Sequence, residues 1–149
     1  MRLETITPPS AFAVMPSETA AYALVVDDDP LVLLVSCTIL EEAGYRFFEA
    51  GDVEEALGVL RQNGALVSLL FTDVEMPGSG NGFDLARQVS QDWPNITIVV
   101  ASGRVAPGPG DLPASATFLS KPFTADVVLE HLRRVLPGDQ RPASLSAET

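Results

Sequence analysis

Apolar and polar positions along this chain fall into alternating blocks. Five apolar runs of strand length stand out: YALVV (22–26), YRFFEA (45–50), VSLLFT (67–72), ITIVVA (96–101) and ATFLS (116–120). The first, third and fourth are nearly continuous in Val, Ile, Leu and Phe, as in strands buried on both faces. Stretches of helical length separate them. One runs from Pro30, a favoured first helical residue, to Gly44, a favoured stop. Others cover about residues 52–62 and 82–92, and a last one starts at the plausible cap Thr124 and ends before Pro137. Between Pro30 and Leu40 there is no charged residue. Val32, Val35 and Ile39 recur there at helical spacing, leaving Leu31, Leu34 and Thr38 to face a sheet.

Strand–helix alternation predicts an α/β fold: a doubly wound, five-stranded parallel sheet with right-handed crossovers and helices on both faces. The stretch RVAPGPGDLP (104–113) breaks the pattern. Half of it is Pro or Gly, so the fourth crossover is expected to hold a short helix or none. In such sheets sites lie beyond the carboxyl ends of the strands. The residues that follow each strand therefore carry the functional argument.

Composition narrows the classes. A chain of 149 residues with 46% hydrophobic and 19% charged residues fits one folded domain, here 21–136. The Pro-, Ser- and Thr-containing stretch 1–20 reads as a flexible extension, and 137–149 as a polar tail. With 9 basic against 20 acidic residues the formal charge is −11, which disfavours phosphate backbones and anionic lipid surfaces. Neither a nucleic acid nor a membrane is an expected partner. The N-terminus lacks the apolar run of a signal peptide and no stretch is long enough to span a bilayer, so a cytoplasmic location is the default expectation. The single cysteine, Cys37, reads as a buried inert thiol, and the single histidine, His131, as a surface residue.

The strand ends deliver a specific set. Strand one leads to Asp27, Asp28 and Asp29, strand three to Asp73, strand four to Ser102, and strand five to Lys121 and Pro122. Asp29, just before Pro30, is better explained as a helix cap than as a ligand. Ser102 alone could be a turn residue, and Lys121 alone a solvated charge; their joint arrival at one rim is what points to a site. Carboxylates packed this closely repel one another and are stabilised by a cation. Oxygen donors of this kind suit a hard divalent ion such as Mg²⁺. A carboxylate so placed can attack a phosphoryl group to give an aspartyl phosphate. Lys121 would neutralise charge on the phosphoryl oxygens and Ser102 would donate a hydrogen bond to one of them.

The pieces LVVDDDP, FTDVEMPGSGNGFDLA, VVASG and FLSKPF resemble those of the receiver domains of two-component response regulators, over roughly residues 22–136. The resemblance implies a flavodoxin-like strand order 2-1-3-4-5. It implies that Asp73 is the phosphoacceptor and that Asp27 and Asp28 are the acidic pair of a Mg²⁺ site, with Asp28 a direct ligand. The backbone carbonyl of Glu75 completes the protein ligands of that site. Ser102 takes the place of the switch hydroxyl, Phe118 that of the switch aromatic, and Pro122 follows a cis peptide bond. Glu75 and Arg104 occupy the positions that flank the path of water to the phosphoryl group and so tune its lifetime. The implied partner is a histidine kinase or phosphotransfer protein. The implied role is signalling by protein contact rather than enzymatic turnover, toward a target that the sequence does not identify. The short remainder after residue 136 makes a stand-alone receiver the expectation. Two rivals fit less well. A degenerate, phosphate-independent receiver would lack the acceptor or metal ligands. A haloacid-dehalogenase-like phosphatase would place a second Asp where Glu75 stands.

Overall fold

A computed structural model describes residues 21–78, 80–136 and Pro142. The expected extension 1–20 and the tail 137–149, Pro142 apart, lie outside the described residues. In chain order the elements are β1 (Ala21–Val26), α1 (Pro30–Glu42), β2 (Tyr45–Ala50), α2 (Val53–Asn63), β3 (Val67–Asp73), α3 (Gly82–Asp92), β4 (Thr97–Ser102), β5 (Ala116–Ser120) and α4 (Ala125–Val135). The five strands form one parallel sheet in the order β2-β1-β3-β4-β5, the flavodoxin-like order expected. No described helix is long and apolar enough to cross a membrane.

The continuous apolar strands are explained by two cores, one on each face of the sheet. Ala23 and Val25 of β1 pack with Cys37 and Leu40 of α1 and with Val128 and Leu132 of α4. Their neighbours Leu24 and Val26 point the other way, onto Leu57 and Leu60 of α2 and Leu85 and Val89 of α3. A period of two therefore puts an apolar residue at every position of a central strand. Caps set the helix starts. Asp29 accepts from Leu31 N and Val32 N, as its position before Pro30 suggested. Asp52 caps α2, and Asn81 with Asp84 forms a reciprocal box at the start of α3.

No helix forms in residues 103–115. Val105 and Leu112 of this segment pack onto the α2/α3 core in its place.

Two expectations are corrected. The first concerns the rotation of α1. Leu31, Leu34 and Thr38 do not face the sheet; Leu31 and Leu34 are 68% and 61% exposed, Val35 is 44% exposed, and Thr38 is exposed as well. Ser36, Cys37, Ile39 and Leu40 are buried instead. A helix apolar on nearly every side carries no periodic signal to fix its rotation. Packing decides it, and the small side chains of Ser36 and Cys37 suit the side that meets the sheet. The second concerns His131, which is buried, not on the surface. It shares the inner face of α4 with Val128 and Leu132, at the i, i+3, i+4 spacing that lines one side of a helix. Its Nδ1 lies 3.2 Å from Arg134, a pure donor, so Nε2 carries the proton and donates to Thr117 Oγ1 at 2.8 Å. Burial, with Arg134 beside it, lowers its pKa.

Cys37 is buried as expected, with Sγ 3.7 Å from a Glu49 oxygen. Burial and the Glu49 carboxylate push the thiol up to about 12.

Candidate functional site

Four strand ends meet at one rim. At the end of β1, Asp27 is buried; its amide donates to Ala50 O at 3.1 Å, and its Oδ1 accepts from Asp29 N at 3.0 Å. At the end of β3 stands Asp73, with its side chain 11% exposed. At the end of β5, Lys121 donates from Nζ to Asp27 Oδ2 at 3.0 Å and to Asp73 Oδ1 at 3.1 Å. One ammonium thus bridges two carboxylates. Asp28, exposed, completes a cluster: one carboxylate oxygen from each of Asp27, Asp28 and Asp73 lies within 4.8 Å of the other two.

The electrostatics follow from that crowding. Burial, and then the charge of Asp27, raise the pKa of the Asp73 carboxyl above its ordinary value, in spite of the opposing hydrogen bond and charge of Lys121. Burial by itself would lower the pKa of Lys121. The hydrogen bonds and charges of Asp27 and Asp73 outweigh that and raise it. The ammonium form of Lys121 is therefore favoured, while ionisation of Asp73 is disfavoured. Such a rim has room for one more positive charge. Three hard oxygen donors, one of them open to solvent, fit Mg²⁺, which takes few carboxylates and keeps several waters.

Ser102 is buried at the end of β4, one residue past Ala101, the register partner of Asp73. Its hydroxyl oxygen accepts from Arg104 N at 3.3 Å and Val105 N at 3.1 Å, so it is engaged by its own loop. Lys121 N donates to Ser102 O at 3.0 Å and ties the ends of β4 and β5 together. The Lys121–Pro122 bond is cis, as the resemblance implied. Glu75, two residues after Asp73, and Arg104, two after Ser102, form an exposed ion pair at 3.8 Å. Phe118, half-buried, pairs in register with Val100 and packs on the α2/α3 core rather than at the carboxylates.

Two residues that shape the site were not singled out from the sequence. Thr72, fully buried, donates from Oγ1 to Asp73 O at 2.9 Å. Gly82 donates its amide to Val74 O at 2.8 Å, and a Cβ built on it would sit 2.0 Å from Asp73 O. Asn81 followed by Gly at the start of a helix was a readable sign of a tight approach; nothing in the sequence marks Thr72.

Comparison with known proteins agrees with this geometry. The chain is 36% identical over 120 residues to the transcriptional activator protein ExaE of Pseudomonas putida, an overlap of 77% of this chain and 55% of ExaE. It is 30% identical over 120 residues to the sensor kinase CckA of Brucella abortus, covering 78% of this chain and 13% of CckA. The chain thus spans only part of these relatives. Among solved structures, the chemotaxis protein CheY4 of Vibrio cholerae superposes with a TM-score of 0.68 at 27% identity, covering 78% of this chain and 99% of that one. A family model, that of the response regulator receiver domain, matches residues 23–133, and with the parallel sheet and the acidic rim this places the chain in the receiver-domain family of two-component signalling.

Proposed function

We propose that this domain accepts a phosphoryl group from a histidine kinase or phosphotransfer protein on Asp73, in a Mg²⁺-dependent reaction, and signals through protein contact. The observation that supports this best is Lys121 Nζ set 3.0 Å and 3.1 Å from the carboxylates of Asp27 and Asp73 inside a three-carboxylate cluster.

The carboxylates of Asp27, Asp28 and Asp73 and the backbone carbonyl of Glu75 would hold the ion; when bound, it supplies positive charge to these oxygens and to those of the phosphoryl group. The chain's own residues do the rest. An Asp73 carboxylate oxygen attacks phosphorus, and an oxygen–phosphorus bond forms as the bond to the donor's leaving atom breaks. The Lys121 ammonium, already beside that carboxylate, stabilises the charge on the transferred group. Ser102 Oγ then moves from the amides of Arg104 and Val105 and donates a hydrogen bond to a phosphoryl oxygen. Phe118 turns into the space this opens. With acetyl phosphate and Mg²⁺, the intact mass should rise by one phosphoryl group that maps to the peptide containing Asp73, and chelation should prevent it. Labelling elsewhere, or unaffected by chelation, would reject the assignment.

Glu75 and Arg104 tune the lifetime of the product. Their pair contributes only about 0–1 kcal/mol to stability because both side chains are largely exposed. Formed between residues that follow Asp73 and Ser102 by two, it still limits how water lines up behind the phosphoryl group. Arg104→Ala is expected to accelerate loss of the phosphoryl group several-fold while labelling itself persists. Decay curves that superpose on the wild type would remove Arg104 from this role.

The kinase contact is assigned to the exposed apolar side of α1. Leu31 and Val35 line an open cavity of about 480 Å³ with Gly103, Lys121, Pro122 and Phe123, directly beside the acceptor rim. An apolar patch of this kind next to the reacting group fits a docked helix of a phosphodonor. Val35 is half exposed, so Val35→Glu should leave the fold and acetyl phosphate labelling intact. Transfer from the cognate kinase should slow at least tenfold. Equal loss of both activities would show that the substitution only damages the fold.

A further inference from the structure

Residues 103–115 follow directly on Ser102 and contain no helix, so contacts from elsewhere must fix their position. Inside the segment, Gly108 N donates to the Asp111 carboxylate at 2.7 Å and Asp111 N to Gly108 O at 3.1 Å, closing a turn. That turn is gripped from α3. Arg87 Nη1 donates to Asp111 O at 2.9 Å, while Nη2 donates to Asp84 Oδ1. Asp84 is itself committed: its Oδ2 accepts from Asn81 N at 2.9 Å and its amide donates to Asn81 Oδ1 at 3.0 Å, so it closes the first turn of α3. This turn is seated on the end of the acceptor strand, where Gly82 N meets Val74 O and no space remains beside Asp73 O. A single planar guanidinium therefore ties the 103–115 segment to the first turn of α3, the turn that is seated on the backbone after β3. Its two branches are used on two different partners, a geometry that a lysine ammonium cannot reproduce in full.

We propose that Arg87 is a positioning residue for the chemistry at Asp73. It clamps residues 103–115 to α3 and so holds the resting arrangement in which Ser102 Oγ is engaged by the amides of Arg104 and Val105. The inference rests on Asp73 being the acceptor. Ser102 Oγ accepts from those two amides, so drawing it toward a phosphoryl group lengthens both bonds unless the start of the segment moves with it. A clamp on its middle opposes that motion. Removing the clamp favours the arrangement that receives the phosphoryl group, by the difference between the two states alone.

The test uses the full chain with Mg²⁺ and beryllofluoride as the phosphoryl mimic, comparing wild type, Arg87→Ala and Arg87→Lys. Without the mimic, hydrogen exchange in residues 104–112 should rise about tenfold in Arg87→Ala, the scale of one lost charge-assisted hydrogen bond, and less in Arg87→Lys. With it, Arg87→Ala should bind beryllofluoride several-fold more tightly than the wild type, with Arg87→Lys between them. A purely structural residue would lower thermal stability and leave mimic affinity unchanged or weakened, and that result overturns the proposal. Exchange that does not change on loss of Arg87 overturns it too, because there is then no clamp. Failure of the wild type to bind the mimic would sink the acceptor assignment and this proposal with it. That failure is told apart from failure of the clamp because the exchange comparison needs no mimic.

Discussion

Asp73→Asn should abolish phosphoryl uptake and, in the absence of metal, raise the melting temperature. The two effects have one cause. The Asp73 carboxyl sits where burial and the Asp27 charge disfavour ionisation, so its pKa is raised in the folded state. The sign follows from proton linkage. A carboxyl with a raised folded pKa binds its proton more tightly in the native than in the unfolded protein. Its favourable contribution is present below the unfolded value and is lost as pH rises through the folded value. At neutral pH the ionised group is therefore a net cost, and Asn, which is close to Asp in shape and uncharged, removes it. The metal-free variant should melt above the wild type at pH 7, and the gap should close as pH falls toward the carboxylate range. Saturating Mg²⁺ should then favour the wild type, since a ligand at about 100 times its dissociation constant adds about 2.7 kcal/mol to the state that binds it. Thermal melts with chelator and with Mg²⁺, beside intact-mass labelling, separate these effects. A metal-free variant less stable than the wild type would contradict the electrostatic account, and retained labelling would contradict the acceptor assignment.

Gly82→Ala should be the most damaging small substitution at the site. The methyl group would meet Asp73 O at 2.0 Å and Asp73 C and Val74 Cα at 2.9 Å, all of them backbone. No side-chain rotation relieves such an overlap; α3 or the end of β3 must move. Overpacking of this kind costs about 3 kcal/mol. In a domain of this size that lowers the melting temperature by on the order of 10 °C. Because the displaced atoms are those of Asp73 itself, phosphoryl uptake should fall even at temperatures where the variant stays folded. Gly58 of α2 is the internal control. It has nothing within 4 Å of its would-be Cβ, so Gly58→Ala should stabilise by roughly 0.5–1 kcal/mol through helix propensity. Two Gly→Ala changes of opposite sign would tie the effect to the close approach. Equal melting of Gly82→Ala and wild type would mean that α3 is not seated as described.

The parts of the fold that were legible in the sequence were those where one physical demand acts alone. Strands β1, β3 and β4 are covered on both faces, so they are apolar throughout and stand out as runs. Asp29, Pro30 and Thr124 marked helix starts because unpaired amides there need a cap or a residue without one. The loss of a helix in 103–115 followed from Pro and Gly. The rotation of α1 was not legible, since Leu31, Leu34, Val35 and Leu40 are equally apolar and only packing tells them apart. The burial of His131 depended on partners, Thr117 and Arg134, that the fold brings to it. At the site, Asp27, Asp73, Ser102 and Lys121 were readable because each ends or directly follows a strand, and sheet topology gathers such residues. The contacts of Thr72 and Arg87 were not, because each ends on a backbone carbonyl, Asp73 O and Asp111 O, and no pattern of side chains marks such a partner.

The environment of Cys37 has a practical consequence for watching this domain at work. It is the one thiol in the chain, it is buried, and its pKa stands at about 12 beside Glu49. Thiol-directed reagents attack as far as the thiolate is formed and reachable, and here neither condition holds at neutral pH. A fluorophore or spin label can therefore be attached through a cysteine introduced at an exposed position such as Ala106, inside the 103–115 segment, with the native thiol left in place. Removing Cys37 to simplify labelling would be the poorer choice, because it would open a gap in the α1/α4 core to silence a group that is already silent.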